Sequence, residues 1–370
     1  PGHVLRVVDG DVRVSRWWSI PPADDGAGED VESVARELRA RVADAVSERT
    51  IADVPLGMFL SGGVDSTIVL SELARVSDAP VRTYTVGFDG PAAFDERRHA
   101  RLAADRFGAE HHELTLSAEE IGGRLPELVE RTAEPVTDPA LIPTWLLSEF
   151  ARREVTVALT GEGADELFAG YRRYRFQDAW GWLGRVPGAG ALGRVGGARL
   201  PGRSAQALQA VAEPDAVRNH LRWSAMLGEE VVDRLFGAGA FGRTLDRLAP
   251  RFRPYFDTRD PGRLAPRLRA DQHEWLPHDL LDKVDRASMA HSLEARTPFL
   301  DHRVVGFAAT VPDRLKLRSG TGKWILRHAY RDVLPPELLE RPKRGFDLPL
   351  DAWMRGPLRA TLADVLDDAG

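Results

Sequence analysis

The hydrophobic pattern of the first half of the chain alternates short apolar runs with longer segments of helical periodicity. The apolar runs predict strands at residues 54–60, 81–88, 111–116 and 155–159. Segments between and before them predict helices, including one that Asp30 caps and whose apolar stripe runs from Val31 to Val46. Strands that alternate with helices predict an α/β fold with a doubly wound parallel sheet, in which ligands bind beyond the carboxyl ends of the strands.

The two ends of the chain have a different pattern. Residues 3–14 predict a hairpin around Asp9-Gly10, followed by a Gly/Asp-rich linker. Two strands cannot bury a core alone, so we expect residues 1–25 to be the trailing edge of a preceding domain. Residues 26–180 form the predicted α/β core. Residues 181–370 form a predicted helical half without strand alternation, after a Gly/Ala/Arg/Pro-rich connection at 184–204.

The stretch Ser61-Gly62-Gly63-Val64-Asp65-Ser66 lies between a predicted buried strand and a predicted helix. Free backbone N–H groups and the helix dipole make such a turn a site for an anion, above all a phosphate. The two glycines allow close approach of the backbone, and Ser61 and Ser66 add hydroxyl donors. Asp65 would repel a phosphate unless a cation lay between them, so it is interpreted as a Mg²⁺ ligand. No G-x-x-x-x-G-K-[ST] pattern occurs, which argues against cleavage of a γ-phosphate.

A second turn, at residues 160–166, places three carboxylates directly after a predicted strand. Close carboxylates favour a cation or an amine. Asp165 can join Asp65 around Mg²⁺, and Glu162 can hold or deprotonate an attacking amine. The alternative is an acidic helix start that is stabilised by the helix dipole alone.

Composition narrows the possibilities. The 370 residues contain no apolar stretch near the roughly 20 residues that a membrane helix requires, and no signal peptide is recognised, so a cytoplasmic protein is expected. The complete lack of cysteine excludes disulfides, thiolate zinc sites and cysteine nucleophiles within this sequence. The net charge of −6 and the scattered arginines give no indication of a nucleic-acid partner.

Residues 61–66 resemble the pyrophosphate-binding loop (PP-loop) of the ATP pyrophosphatases, which cleave ATP between the α and β phosphates. Residues 160–166 are similar to the second signature of the glutamine-dependent asparagine synthetases, with Thr160 in place of a serine. Residues 279–290, 294–301, 322–327 and 341–346 resemble further stretches of the synthetase domain of that family, and the similarity runs from about residue 50 to 357. The resemblance implies an adenine nucleotide alpha hydrolase-like sheet followed by a mostly helical half.

The family resemblance also implies a reaction. ATP and Mg²⁺ activate the side-chain carboxylate of aspartate as an acyl-adenylate with loss of pyrophosphate, and ammonia then gives asparagine and AMP. By motif, pyrophosphate is cradled by Ser61, Gly62, Gly63 and Ser66, and Mg²⁺ by Asp65 and Asp165. The other implied ATP-binding residues are Leu60, Val86, Thr160 and Gly161, of which Leu60, Val86 and Gly161 line the adenosine site. Glu162 serves the amine step, and Lys343 faces the α-phosphate, where negative charge develops during displacement.

Two further groups of charged residues carry weaker signals of function. For Lys323 and Arg327, a structural role with side chains that reach to the surface is favoured at least as strongly as a contact with ATP. Asp282, Asp285 and Arg286 are expected to form buried ion pairs that fix the helical half against the site, in preference to contacts with substrate.

Members of the resembled family normally begin with a glutaminase domain whose first residue is a nucleophilic cysteine. Since this sequence has no cysteine, we expect it to use free ammonia, with the hairpin at residues 1–14 representing the end of the missing domain. A homodimer is also possible on this resemblance.

Two rival functions stay as alternatives, and a third is disfavoured. The first is a relative that adenylates another carboxylate and closes it with an internal amine, as β-lactam-forming and lasso-peptide-cyclising members do. Glu162 favours asparagine formation, whereas the segment 134–143, expected at the acceptor pocket, departs from the best-known synthetases. The second is a nucleotide-binding module without turnover, which would not need Glu162. A thiolase-type tRNA modifier is disfavoured by the absence of cysteines and of a basic patch.

Overall fold

The computed structural model describes residues 2–23, 30–89, 95–132, 134, 136–176, 209–210, 213–256, 264–343, 345 and 348–367. The Gly/Ala/Arg/Pro-rich connection predicted at 184–204, and most of the linker after Pro22, lie outside these residues. Among the described residues, no helix combines the length and the apolar character that are needed to cross a membrane.

The chain opens with an antiparallel hairpin, as predicted. Strands β1 (His3–Val8) and β2 (Asp11–Arg16) are joined by Asp9 and Gly10, which both have positive φ angles of 51° and 86°. Two positive φ angles are typical of the tight turn that Asp-Gly favours. The valines and the leucine of both strands are exposed, so the hairpin contributes no side chains to the core of the chain.

The central element is a parallel sheet with the strand order β5-β4-β3-β6-β7. Its strands are β3 (Leu56–Phe59), β4 (Arg82–Phe88), β5 (Glu110–Leu116), β6 (Val157–Leu159) and β7 (Glu294–Arg296). The first four confirm the strand predictions at 54–60, 81–88, 111–116 and 155–159, with somewhat shorter bounds.

The fifth strand corrects the prediction that no strand follows residue 213. Val157 of β6 pairs with Glu294, and Leu159 pairs with Arg296. Glu294-Ala295-Arg296 has neither the length nor the apolar alternation of a typical strand, and its conformation is stabilised by ladder bonds to β6. A short antiparallel pair, β8 (Leu317–Arg318) and β9 (Thr321–Gly322), lies later in the same half.

Helices lie between and after the strands. Those of the α/β part are α1 (Val31–Glu48), α2 (Val64–Val76), α3 (Arg97–Phe107), α4 (Ala118–Thr132), α5 (Leu141–Arg152) and α6 (Ala164–Phe168). The helical half contains α7 (Ala216–Ser224), α8 (Glu229–Phe236), α9 (Ala240–Phe252), α10 (Leu264–Ala270), α11 (Leu281–Met289), α12 (His302–Thr310), α13 (Asp313–Lys316), α14 (Trp324–Ala329), α15 (Pro336–Leu339), α16 (Leu350–Arg355) and α17 (Arg359–Asp367). Asp30 caps α1 as predicted, since its carboxylate accepts a hydrogen bond from the Ser33 N–H at 3.0 Å.

A π-helix at Asp271–Leu280 joins α10 to α11, and 3₁₀ turns occupy Arg253–Tyr255 and Pro298–Leu300. Pro277 lies inside the π-helix and lacks the N–H that a regular helical bond requires. Wide turns of this kind often occur at functional sites.

Hydrophobic cores cover both faces of the sheet. Val157 and Leu159 belong to one core with α1, α2 and α3, whereas Ala158 belongs to the other with α5 and α11. Successive strand residues point to opposite faces, so this division confirms a sheet that is wound on both sides. The first core also includes Phe299 and Ile325, which come from the helical half.

The strand order locates the ligand-binding edge. After β3 the chain adds β4 and β5 on one side, and then returns to add β6 on the other side of β3. A crevice therefore opens beyond the carboxyl ends of β3 and β6, where ligands of such sheets bind. The turns that begin at Ser61 and Thr160 both lie at this point.

Candidate active site

The two glycine-rich turns pack directly against each other at the switch between β3 and β6. A Cβ on Gly161 would lie only 2.9 Å from the Ser66 nitrogen and 3.1 Å from the Asp65 carbonyl carbon. Gly62 has a φ of +64°, and a Cβ there would overlap the backbone of His99 and Ala100. Glycine at these two positions is what allows the turns and the start of α3 to approach this closely.

Four charged side chains form the central cluster, which we define as Asp65, Asp165, Lys323 and Lys343. The Lys323 ammonium lies 2.5 Å from Asp65 Oδ2 and 2.6 Å from Asp165 Oδ1. The Lys343 ammonium donates to Asp165 Oδ2 at 2.7 Å. The structure thus brings together three residues that the sequence placed in the site and one, Lys323, for which a contact with ATP and a structural role at the surface were both alternatives.

Mutual attraction sets the charge state of this cluster. Burial would by itself raise the pKa of Asp165, but the ammonium groups of Lys323 and Lys343 hold that pKa below its ordinary value. Burial would lower the pKa of Lys343, yet Asp165 and Asp65 raise it above its ordinary value. Asp165 and Lys343 are therefore both charged at neutral pH.

Lys323 is held in an unusual backbone conformation. Its φ is +55°, its side chain is 4% exposed, and its N–H donates to the Phe168 carbonyl at 2.8 Å. A left-handed conformation in a non-glycine residue costs free energy, and such residues cluster at functional sites. The side chain does not reach to the surface, so the predicted snorkelling role is wrong.

The turn after β3 is shaped by its own hydroxyl groups. Gly63 N–H donates to Ser61 Oγ at 3.2 Å, and Ser61 N–H donates to Ser66 Oγ at 3.3 Å. Arg341 donates to the Ser61 carbonyl at 3.0 Å and pairs with Glu96. The loop is therefore braced from the C-terminal part of the chain.

A small cavity of about 60 Å³ lies in front of this turn, and Ser61, Gly63 and Asp65 contribute to its wall. The wall is strongly cationic, with Arg175, Lys323, Arg327, Arg341 and Lys343 against Asp65 and Glu96. Burial lowers the pKa of Arg327, while Asp65 opposes that shift. A wall of this charge is suited to a polyphosphate.

A larger cavity of about 400 Å³ adjoins the small one and falls in the size range of small-molecule sites. Most of the site residues predicted from sequence line it, namely Leu60, Ser61, Asp65, Ser66, Val86, Thr160, Gly161, Glu162, Asp165 and Lys343. Of the predicted set, Gly63 lines the small cavity alone, and Gly62 lines neither cavity.

The acidic turn after β6 supplies two kinds of carboxylate. Glu162 is half-buried in the cavity wall, and its N–H donates to Thr160 Oγ1 at 3.4 Å. Glu166 is buried and accepts a hydrogen bond from the Tyr171 hydroxyl. Burial, together with the neighbouring Asp165, raises the pKa of Glu166 to about 8, so this residue is largely neutral at pH 7.

A second charged pair lies in the wall of the larger cavity, and we call it the lateral pair. Lys283 of α11, with a side chain 6% exposed, donates to Asp138 Oδ2 at 2.8 Å. Asp138 belongs to the segment 134–143 that was expected to border the acceptor pocket, and Pro139, Ala140 and Thr144 of this region also line the cavity.

The predicted buried ion pairs of Asp282, Asp285 and Arg286 are wrong. Arg286 pairs with Asp282 at 2.8 Å, but the two side chains are 30% and 39% exposed, and Asp285 is exposed. A spacing of four residues places Asp282 and Arg286 on one outer face of α11, while Lys283 points inward from the same helix. The buried charge of this stretch is therefore Lys283.

The donor set fits a divalent cation that is shared with a nucleotide. Asp65 Oδ1 is buried and has no hydrogen-bond partner among the described residues. Within that part of the chain, no group of three or more potential metal ligands occurs. Mg²⁺ often binds through one or two carboxylates together with substrate phosphates, and Asp65 and Asp165 could provide those carboxylates.

Sequence reasoning passed over several residues of the site, namely Glu96, Asp138, Tyr171, Arg175, Lys283 and Arg341. Lys283 and Arg341 stand within stretches that resembled a known family, but nothing in their immediate neighbours distinguishes them from surface cations. Their burial depends on contacts with distant parts of the chain.

Comparisons with a family model and with individual known proteins point to the same family. The family model for asparagine synthase matches residues 37–370. Asparagine synthetase (glutamine-hydrolyzing) 1 of Bacillus subtilis is 31% identical over 352 residues, which cover 91% of this chain and 53% of that protein. A putative asparagine synthetase (glutamine-hydrolyzing) of Mycobacterium tuberculosis is 35% identical over 334 residues, which cover 86% of this chain and 49% of that protein.

A more distant similarity extends to proteins with another name. Amidase chyE of Penicillium rubens is 26% identical over 428 residues, which cover 98% of this chain and 61% of that protein. The chain spans about half the length of the bacterial relatives that it matches.

Proposed function

The chain belongs to the asparagine synthase family, and we propose that its site activates a carboxylate with ATP and then converts it to an amide with ammonia. The observation that carries this proposal is the central cluster at the switch between β3 and β6. Two lysines converge there on two aspartates, beside a cationic cavity suited to pyrophosphate.

In the proposed first step, an oxygen of the acceptor carboxylate attacks the α-phosphorus of ATP, and the bond to the departing pyrophosphate breaks. Lys343, with a side chain 30% exposed, can reach the phosphoryl oxygens on which negative charge develops. Lys323, Arg327 and Arg341 would hold the leaving pyrophosphate, which accounts for the concentration of cations in the small cavity.

In the proposed second step, ammonia attacks the acyl carbon, and AMP leaves with the electron pair of the broken C–O bond. Glu162 faces the larger cavity and accepts the proton that the attacking nitrogen loses. Glu166 is a poorer candidate for this base because its raised pKa leaves it largely protonated at neutral pH.

Asp65 and Asp165 are the residues that would hold Mg²⁺, which supplies charge neutralisation for the phosphates when it is bound. Lys323 occupies the space between these carboxylates, so it keeps them apart and oriented before the nucleotide arrives.

We propose L-aspartate as the acceptor and L-asparagine as the product. The names of the bacterial relatives support this assignment. Their description as glutamine-hydrolyzing, together with the partial coverage, supports a glutaminase unit as the source of ammonia in the full protein. The sequence in hand contains no cysteine and would use free ammonia. The proposed setting is the cytoplasm.

The test is release of pyrophosphate by this chain with ATP, Mg²⁺ and ammonium, with and without L-aspartate. Asp65→Asn serves as the matched variant because it preserves the volume of the side chain while removing its charge. We expect release that requires aspartate, yields equimolar asparagine and AMP, and falls by at least about 100-fold in the variant.

Pyrophosphate release with another carboxylate, but not with aspartate, would retain the ligase chemistry and replace the acceptor. A chain that binds ATP and releases no pyrophosphate with any carboxylate would instead be a nucleotide-binding module, and the proposal would be wrong.

A further inference from the structure

The lateral pair joins a buried ammonium to a carboxylate whose side chain is 20% exposed, and apolar residues surround it in the cavity wall. Ala140, Leu147, Leu280 and Val284 line the same cavity as Asp138 and Lys283. Buried ion pairs add little to stability, since apolar residues of similar volume often stabilise a fold more. In ligand cavities, by contrast, a few polar groups in an apolar wall fix the orientation of the ligand.

Local structure fixes the direction of the Asp138 carboxylate. Its Oδ1 accepts a hydrogen bond from the Ala140 N–H at 2.9 Å, in the turn that leads into α5. Its Oδ2 accepts the bond from Lys283. Each carboxylate oxygen has a second lone pair, so Asp138 can accept further donors without breaking either bond.

Lys283 has unused capacity as well. An ammonium group has three N–H donors, and in the described structure Asp138 is its one hydrogen-bond acceptor. Asp279 belongs to the π-helix that leads into α11. Burial and Asp138 raise the pKa of Asp279, and Lys283 opposes that shift, so the three groups interact electrostatically.

A carboxylate beside an ammonium is complementary to a ligand that carries the opposite charges in the same order. An α-amino acid carries such a pair of charges. Its α-ammonium can bind Asp138 while its α-carboxylate binds Lys283. Its side-chain carboxylate remains free to extend along the cavity toward Lys343, which lines the same wall. The lateral pair would then bind the α-ammonium and α-carboxylate of the substrate, and the central cluster would lie at its side-chain carboxylate.

We propose that Asp138 and Lys283 bind the α-ammonium and α-carboxylate of the acceptor, which restricts the substrate to α-amino acids with a side-chain carboxylate. This inference rests on the proposed function for the identity of the reacting end.

The first experiment compares acceptors that lack one charge. L-aspartate is tested in the pyrophosphate assay beside succinate, which has no amine, and β-alanine, which has no α-carboxylate. We expect kcat/KM to fall by at least about 100-fold for each analogue, because a buried partner in the wall is left unpaired. Succinate used within about threefold of L-aspartate would overturn the inference and leave the ligase chemistry intact.

The second experiment removes each charge from the protein. Lys283→Met and Asp138→Asn should raise the KM for L-aspartate at least about tenfold, leave the KM for ATP within about twofold, and reduce the preference over succinate. Lys316→Met is the matched control, since Lys316 is equally buried and lines neither cavity. An unchanged preference for aspartate in folded Lys283 and Asp138 variants would contradict the assignment.

A binding measurement separates this inference from the proposed function. Titration calorimetry with L-aspartate or L-glutamate, in the presence of AMP and Mg²⁺, does not require turnover. Binding that both variants lose would support the lateral pair even if no pyrophosphate were released. If neither amino acid binds to the unmodified chain at millimolar concentration, the inference is wrong. Thermal unfolding of each variant verifies that it is folded.

Discussion

The central cluster and the lateral pair consist of the same residue types, but different parts of the fold hold them. Asp65 and Asp165 follow two neighbouring strands, so the register of β3 and β6 fixes the distance between them. Asp138 instead lies just before helix α5, and Lys283 lies in helix α11. These two helices pack against each other over one face of the sheet.

Under the proposed function, the groups that take part in the reaction lie at strand ends, whereas the groups that select the acceptor lie on or beside helices. Few substitutions in the surrounding helices can shift residues at strand ends. Such fixed positions are suited to groups that, under the proposed function, contact the reacting phosphate. Residues on packed helices can be exchanged or displaced while the sheet stays intact.

The largest expected effect tests the reaction side of this comparison. Lys343→Met should lower the rate of pyrophosphate release by about 10²–10³-fold, because a positioned donor to the developing charge is lost. The side chain is 30% exposed, so the free energy of unfolding should change little. A decrease in rate of less than about tenfold would remove Lys343 from the reaction.

Lys323→Met should reduce stability as well as rate. Removing the buried ammonium leaves Asp65 with no ion-pair partner in the described structure, which should lower the free energy of unfolding by about 3 kcal/mol. Mg²⁺ should then raise the melting temperature of the variant more than that of the unmodified chain, since the two aspartates are free to bind it. Equal shifts in both proteins would argue against a cation site at these carboxylates.

Lys316 is a buried lysine without a directly bonded carboxylate in the described structure, so its replacement measures the cost of burying an ammonium group. Burial lowers its pKa to about 8, against an ordinary value of 10.5, so folding carries a cost while the amine is protonated. Lys316→Met should raise the free energy of unfolding by about 1–3 kcal/mol at pH 7. The gain should decline as the pH rises from about 8 to 10.5. Urea denaturation at pH 7 and pH 10 measures it, and a pH-independent gain would contradict this account.

The smallest expected effect is on the free energy of unfolding, and it concerns one of two cationic residues of α11. Arg286→Ala should lower the free energy of unfolding only slightly, because its pair with Asp282 is exposed to solvent. Lys283→Met, only three positions earlier, should cost about 3 kcal/mol since it leaves Asp138 unpaired in the cavity wall. Similar costs for both variants in urea denaturation would show that burial does not distinguish them.

Local patterns in the sequence were sufficient for the sheet core and for half of the central cluster. The apolar runs and the glycine-rich turns after two of them carry direct signals of strand, turn and helix start, and these place Asp65 and Asp165 at one edge. Lys343 could be placed by its motif alone. The prediction succeeded where residues close together in the chain determine the structure.

Predictions failed where distant contacts determine the structure. Lys323 and Lys283 have the same neighbours that surface lysines have, and only the folded chain shows them buried against Asp65 and Asp138. Buried ion pairs were predicted for Asp282, Asp285 and Arg286, but the pair of Asp282 with Arg286 is partly exposed to solvent. Glu294–Arg296 became a strand through its partner, and its own residues have weak strand propensity.

The pairing of β7 with β6 has a consequence for biosynthesis. β6 pairs with β3 early in the chain, but its other edge stays open until residues 294–296 have been synthesised. An open edge invites association with other chains, and a long loop slows its closure. Lys323 and Lys343 follow β7 in the sequence. All five strands of the sheet have therefore been synthesised before Lys323 and Lys343 are available to complete the central cluster. Any truncated product that retains both lysines also retains β7, the strand that covers this edge of β6.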